Sequence, residues 1–212
     1  MAAIVLTHAH SDHTGFAEAL REETGVPVYV HADDESLAAT GKRYGKNEAS
    51  FLPYLRFGHA WRLLAHLAGA MKPKPVRELM TYSDGETLDV PGRPRVIHTP
   101  GHTSGHSSLY FEPAGALIAG DELCTLHPLT GARGPQLMPR AFNLSSAKCL
   151  DSLTKLTRVE AEVVRPRRAV ARGRRGRRRS RASDRPDVVV EPRSRRVRTS
   201  HDPCGKEPRW RP

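Results

Sequence analysis

The segment LTHAHSDHTG, residues 6–15, places three histidines and an aspartate within six positions. On an extended chain, residues two positions apart project to the same side, so His8 and His10 can bind one ion. Asp12 and His13 follow on the next turn, where they can face a second position beside the first. Neutral imidazoles and carboxylates are ligands for zinc and similar divalent metals. The spacing therefore predicts a metal site, and a purely structural role for these residues is the less favoured alternative.

Two later segments offer further ligands for the same site. In IHTPGHTSGHSSLY, His102 lies on a Pro-Gly turn just beyond a strand, where its ring can point into a site. His98 lies within the strand pattern and His106 begins the next strand, so we predict supporting roles for both. In LIAGDELC, Asp121 follows a buried strand. A carboxylate at a strand end often only caps a turn, but here it is a candidate ligand for the same metal site as the histidines.

Alternating strands and helices are expected to position these residues. The apolar patterns predict buried strands at 2–6, 26–30, 87–90, 95–99, 107–111, 116–119 and 161–164. They predict helices at 16–24, 33–39, 57–71 and 145–156. The apolar stripe of the third helix, with Trp61, Leu64 and Leu67, favours packing on the core, and a lid over the site is the alternative. This alternation is typical of a layered α/β domain.

Charge divides the chain into two parts. Of its net charge of +11, the segment from Arg158 to the end contributes +12, with eighteen arginines and one lysine against seven acidic residues. Residues after 164 lack periodicity and carry dense like charge, which predicts disorder. We therefore predict a domain at 1–164 and an Arg-rich tail at 165–212. A frame change near Arg165 in a GC-rich coding sequence explains this composition, and a nucleic-acid-binding tail is the alternative.

The remaining composition bears on the compartment. Three cysteines without paired spacing favour a reducing compartment over a disulfide framework. The N-terminus has no basic region typical of a signal peptide. The apolar stretch 61–71 is interrupted by Arg62 and His66, so it is not expected to span a membrane. We expect a cytoplasmic protein.

Taken in order, H-x-H-x-D-H after a strand, HTPGHT about ninety residues later and an apolar strand ending in Gly-Asp resemble the metallo-β-lactamase superfamily over residues 3–164. The aspartate at the bridging position resembles its glyoxalase II-like branch. The resemblance implies an α+β fold of four αββα layers, with two adjacent Zn²⁺ ions at one edge of the sandwich. It assigns the first ion to His8, His10 and His102, the second to Asp12 and His13, and a bridging role to Asp121.

The chain departs from the family pattern in two places. Family members usually have several strands before this histidine motif, where this chain has only seven residues. The sandwich is therefore expected to be incomplete at the N-terminus. The family also supplies a last histidine to the second metal, but no histidine occurs here between His127 and His201. We expect the second Zn²⁺ to be bound more weakly.

The resemblance implies a metal-dependent hydrolase in which a zinc-bound hydroxide attacks a small ester, thioester, lactone or amide, oriented by the catalytic Asp12. The alternatives are a nuclease of the same superfamily and an inactive, truncated metal-binding protein. A nuclease needs positive charge around its site, whereas residues 1–157 carry a net charge of −1. We therefore expect a small-molecule substrate, and nucleic acid bound only non-specifically through the tail. The oligomeric state is open.

Overall fold

The computed structural model describes residues 1–42, 45–69 and 75–167, together with the backbone of three short strands nearer the C-terminus. Most of the Arg-rich tail lies outside the described residues. The predicted disorder of that tail, and its origin in a frame change, therefore stay predictions.

Two β-sheets form the centre of the domain. The first is a parallel sheet in the order β1-β2-β3, formed by β1 (Ile4–Val5), β2 (Val28–His31) and β3 (Met80–Tyr82). The second, mixed sheet contains β4 (Arg95–His98), β5 (Ser107–Phe111), β6 (Ala116–Leu126), β7 (Arg133–Gln136) and β8 (Val163–Arg167). Strand β6 pairs antiparallel with β5 and β7 and parallel with β8. Three short strands extend this sheet: β9 (Val188–Val189), β10 (Thr199–His201) and β11 (Pro208–Trp210).

Helices connect and cover the strands. They are α1 (Ser11–Thr14), α2 (Ala17–Thr24), α3 (Glu35–Thr40), α4 (Gly58–Gly69) and α5 (Ser146–Leu156). Three 3-10 turns lie at Ala32–Asp34, Leu52–Arg56 and Glu112–Ala114. None of the helices in the described ranges is both long and apolar enough to cross a bilayer.

Three apolar clusters define the order of the layers. The first joins the parallel sheet to α2 and α3 through Leu6, Val28, Val30, Ala17 and Leu37. The second lies between the sheets and contains Val5, Tyr29, Tyr82, Val96 and Leu109. The third joins the mixed sheet to α5 through Ile97, Tyr110, Leu117 and Leu156. Because neighbouring strand residues point to opposite faces, each sheet contributes to two clusters. The predicted four-layered αββα arrangement is confirmed.

Most predicted elements are present, but the strand predicted at 87–90 is wrong. Only an isolated bridge between Thr87 and Arg95 forms there. Leu88 and Val90 are apolar because they fill the space between the sheets from an irregular segment. Strands β3 and β7 were not predicted, since both are short and lack an apolar run.

Two other elements differ from their predicted form. Strand β6 continues to Leu126 instead of ending at 119, and β8 reaches Arg167, beyond the predicted domain end at 164. Helix α4 packs through Ala60 and Leu63, whereas Trp61 is 58% exposed. The contacts of α4 with the segment around Leu129 support packing on the domain rather than a lid.

Candidate metal centre

The histidine motif lies directly after β1, where both sheets hold its backbone. The Tyr82 hydroxyl of β3 donates a hydrogen bond to the carbonyl oxygen of Leu6 at 2.5 Å. The backbone N–H of Ser107, at the start of β5, donates to the carbonyl oxygen of Thr7 at 2.8 Å. Because one bond comes from each sheet, the loop that carries His8 is fixed at their common edge.

His8 lies at the centre of the cluster and is completely buried. Its Nδ1 atom lies 3.2 Å from Thr7 Oγ1, whereas its Nε2 atom is buried without a hydrogen-bond partner. A buried polar atom without a partner is costly, and a metal ion would satisfy it. Burial and the neighbouring histidines lower the pKa of His8, which favours the neutral imidazole that metals require. The donor set therefore fits a divalent metal.

Two groups of possible ligands share His8. One contains His10 and His102, and the other contains His13 and Asp121; within each group all ligand atoms lie within 4.8 Å of one another. Asp121 contacts both groups, with Oδ1 3.3 Å from His13 Nε2 and Oδ2 3.5 Å from His102 Nε2. Each carboxylate oxygen thus faces a different group, as a bridging ligand requires.

Asp12 stands apart from these two groups. Its Oδ2 atom lies 4.0 Å from His13 Nε2, and its side chain is 39% exposed. The structure therefore brings five of the six predicted ligands into two compact groups and leaves Asp12 on their solvent side. The individual assignments to a first and a second ion stay predictions.

Gly120 and His106 position the carboxylate of Asp121. Gly120 has a φ of +59° at a register shift of β6, and a Cβ there would lie 2.7 Å from His106 Nε2. Asp121 therefore lies at a bulge within the strand and not at its end. The backbone N–H of Asp121 donates to His106 Nε2 at 3.0 Å. Burial lowers the pKa of His106 to about 3, so this ring stays neutral and accepts the bond. This contact agrees with the supporting role predicted for His106.

Two supporting residues were missed in the sequence. Asp34 is completely buried and accepts hydrogen bonds from Ala9 N (3.0 Å), Thr103 Oγ1 (2.7 Å) and Gly105 N (2.8 Å). It therefore ties the His8–His10 loop to the His102 loop. Its only local signal was an acidic residue in the first turn of the helix predicted at 33–39, which resembles an ordinary helix start.

Asn143 is the second missed residue, and it orients His102 from behind. Its Oδ1 atom lies 3.0 Å from His102 Nδ1. Its amide donates to the carbonyl oxygen of Met138 and to Ser146 Oγ, which fixes the side chain. His102 Nδ1 is therefore the donor to Asn143, and Nε2 is left to face the cluster.

We expect Asn143→Ala to lower metal affinity by about 10–100-fold, because the ring of His102 loses the partner that sets its tautomer and orientation. Competition with a chromophoric chelator measures this change. Asn47→Ala is the matched control, since Asn47 holds the same segment by donating to the carbonyl oxygen of Ala141 without contacting His102. Equal losses in both variants would show that the segment, and not the imidazole contact, determines affinity.

Comparison with known families decides the classification. The family model of the Metallo-beta-lactamase superfamily matches residues 2–166. The chain belongs to this superfamily.

Individual relatives agree with this classification. The chain is 31% identical to the probable metallo-hydrolase YqgX of Bacillus subtilis, over 57% of this chain and 49% of that protein. It is 29% identical to the probable metallo-hydrolase YflN of the same organism, over 76% of this chain and 62% of the relative. The crystal structure of TTHA1623 in a di-iron-bound form superposes with a TM-score of 0.51 at 26% identity, covering 80% of this chain and 69% of that one.

Support for the glyoxalase II-like branch is weaker. The chain is 32% identical to the hydroxyacylglutathione hydrolase of Alkalilimnicola ehrlichii, over 58% of this chain but only 33% of that enzyme. The chain spans about half to three-fifths of the two Bacillus relatives.

Proposed function

We propose that this chain is a metal-dependent hydrolase that uses two Zn²⁺ ions to cleave a small ester, thioester, lactone or amide. The observation that carries the proposal is the position of Asp121, whose two oxygens face different ligand groups at 3.3 and 3.5 Å. One carboxylate between two groups of imidazoles is suited to two neighbouring ions. Membership of the superfamily, with metallo-hydrolases among its relatives, supports the same activity.

The residues divide into three roles. His8, His10 and His102 would hold the first ion, Asp12 and His13 the second, and Asp121 both. Bound ions would supply Lewis acidity, which activates water and polarises the substrate carbonyl. We propose zinc because three neutral imidazoles suit it, although the same ligands also accept iron, the metal in the TTHA1623 structure.

Asp12 is proposed as the residue that handles the proton. Its carboxylate is the most exposed group of the candidate site, so it can accept a hydrogen bond from an incoming water while His13 lies beside it. In that position it would orient the water toward the substrate carbonyl carbon and accept its proton as the new C–O bond forms. The acyl carbon then becomes tetrahedral. As it collapses, the C–O, C–S or C–N bond breaks, and the proton held by Asp12 passes to the departing oxygen, sulfur or nitrogen, which leaves as the alcohol, thiol or amine.

An apolar segment beside the site supports acyl compounds as the substrate class. The segment containing Tyr54 and Ala60 packs against Leu129 and Phe142, next to the Asn143 that orients His102. This neighbourhood is suited to a modest hydrophobic acyl group. The likeness to a hydroxyacylglutathione hydrolase points the same way.

The test combines metal content with hydrolysis. Elemental analysis is expected to give up to two zinc ions per folded chain, the second released first on dilution into chelator. A panel of p-nitrophenyl esters, thioesters and lactones should show turnover that EDTA removes and Zn²⁺ restores. Metal-dependent cleavage of RNA or DNA, with none of these acyl compounds, would instead favour the nuclease. A metal-free, inactive but folded chain would contradict both.

Within this scheme, Asp12→Asn should lower kcat by about 10²–10⁴-fold, because the amide cannot accept the proton. Some loss of the second ion is also expected, so rates are compared at saturating Zn²⁺. Asp89→Asn, an exposed aspartate outside the site, is the control and should keep the wild-type rate. A wild-type rate in Asp12→Asn would remove this residue from the mechanism.

A further inference from the structure

We propose that this chain has a third divalent-metal site, formed by His31, Asp33 and His98, separate from the six-residue centre. His31 is the last residue of β2 and His98 the last residue of β4. Asp33 lies in the 3-10 turn that follows β2. The ends of strands from the two different sheets therefore bring two imidazoles and one carboxylate together.

The distances between the possible ligand atoms are close to those of a metal site. Asp33 Oδ2 lies 3.8 Å from His31 Nδ1 and 3.8 Å from His98 Nε2, and all three ligand atoms lie within 4.8 Å of one another. In a tetrahedral zinc site with bonds of 2.0–2.1 Å, ligand atoms are separated by roughly 3.4 Å. Asp33 would have to approach both rings by only a few tenths of an ångström, and its side chain is 57% exposed.

Both imidazoles must exchange a hydrogen bond for the ion. His31 Nδ1 accepts a hydrogen bond from the backbone N–H of Asp33 at 3.2 Å, so this nitrogen carries no proton, but its lone pair must leave that N–H to bind a metal. His98 Nε2 lies 2.8 Å from the carbonyl oxygen of Ser104 and donates to it. It would exchange that bond for the ion. Because the rings are stacked, with centroids 4.1 Å apart and an interplanar angle of 10°, each must also tilt toward the ion.

These costs predict a site weaker than the main centre. His31 and His98 are buried or nearly so, whereas Asp33 is open to solvent, so an ion can enter without opening the core. Water would complete the coordination on the Asp33 side. The ligand set of two imidazoles and one carboxylate suits zinc, which we name as the occupant.

The location gives such an ion a structural effect. Asp33 directly precedes Asp34, the residue that holds both ligand loops. In the His102 loop, Ser104 lies between Thr103 and Gly105, the two residues that donate to Asp34. An ion at this position would join the end of β2 to β4 beside that loop. Bound zinc should therefore raise the melting temperature beyond the effect of the main centre alone.

Equilibrium dialysis against buffered free Zn²⁺, with elemental analysis, tests the proposal. Wild-type protein should bind one equivalent more than Asp33→Asn and His98→Asn, at zinc concentrations above those that fill the main centre. His8→Asn should lose the main-centre ions and keep this one. His66→Asn, which changes an exposed histidine of α4, is the control and should bind as the wild type does.

Asp33→Asn keeps the experiment decisive if His98→Asn fails to fold, because Asp33 is on the surface. Cobalt titration gives a second readout, since visible d–d absorption of tetrahedral Co²⁺ should persist in His8→Asn and vanish when Asp33→Asn is added. The proposal is overturned if Asp33→Asn binds as much zinc as the wild type, or if His8→Asn binds none. Neither result depends on catalytic activity.

Discussion

His8→Asn is expected to reduce kcat/KM by about a thousandfold or more, equivalent to roughly 4 kcal/mol of transition-state stabilisation. In the proposed scheme His8 would hold the first ion, and it also lies within the His13–Asp121 group, so its loss removes a ligand from the first position and a close neighbour from the second. The other ligands face one group each, apart from Asp121. Activity assays at saturating Zn²⁺, together with zinc content per chain, measure the effect.

The same variant separates metal loss from unfolding. His8 Nε2 has no hydrogen-bond partner without an ion. The introduced asparagine lacks that atom but buries the polar atoms of its own amide, so the net change in unsatisfied buried groups is small and part of the packing is kept. The metal-free variant should therefore melt within a few degrees of the metal-free wild type. Added Zn²⁺ should raise the melting temperature of the wild type much more than that of the variant. His66→Asn should behave as the wild type in every assay. An active variant with full zinc content would exclude His8 as a ligand.

The sequence predicts the site better than it predicts the supports of the site. His8, His10 and His13 are close in the chain, so local geometry alone indicates that they converge. Asp34 contacts Ala9 and Thr103, which are 25 and 69 residues away. Nothing local distinguishes such an aspartate from a helix-starting one, because its partners are determined only by the packing of the sheets.

The strands show the same dependence on tertiary context. The apolar runs that become β2 and β5 are buried on both faces and were found from composition alone. Leu88 and Val90 belong to a similar apolar run, but they fill the space between the sheets from an irregular segment. The apolar pattern therefore predicted their burial correctly and their strand conformation wrongly. In β6, the bulge at Gly120 places Asp121 within a longer strand. In the sequence, a glycine at such a bulge looks the same as a glycine that ends a strand.

Asp34→Asn should lower the free energy of unfolding by about 2–4 kcal/mol, because a buried charged acceptor with three donors is replaced by an amide. One amide oxygen can keep Gly105 N or Ala9 N, but not both, since Oδ1 accepts from the former and Oδ2 from the latter. In either orientation an amide N–H₂ faces a backbone N–H, which is left unsatisfied in the interior. The backbone of Gly105 packs tightly against Asp34, since a Cβ added at Gly105 would lie only 2.7 Å from Asp34 N. The two loops therefore have no room to shift and relieve the unsatisfied N–H group.

Loss of Asp34 should also weaken metal binding by about 10–100-fold, since the His10 and His102 loops are no longer held together. Urea unfolding of the metal-free protein and chelator competition measure the two effects separately. Glu35→Gln, the neighbouring exposed residue, is the control and should change stability by no more than about 0.5 kcal/mol. If Asp34→Asn loses stability but keeps wild-type metal affinity, Asp34 supports the fold without positioning the ligands. If it loses both, the carboxylate couples folding of the two loops to assembly of the metal centre.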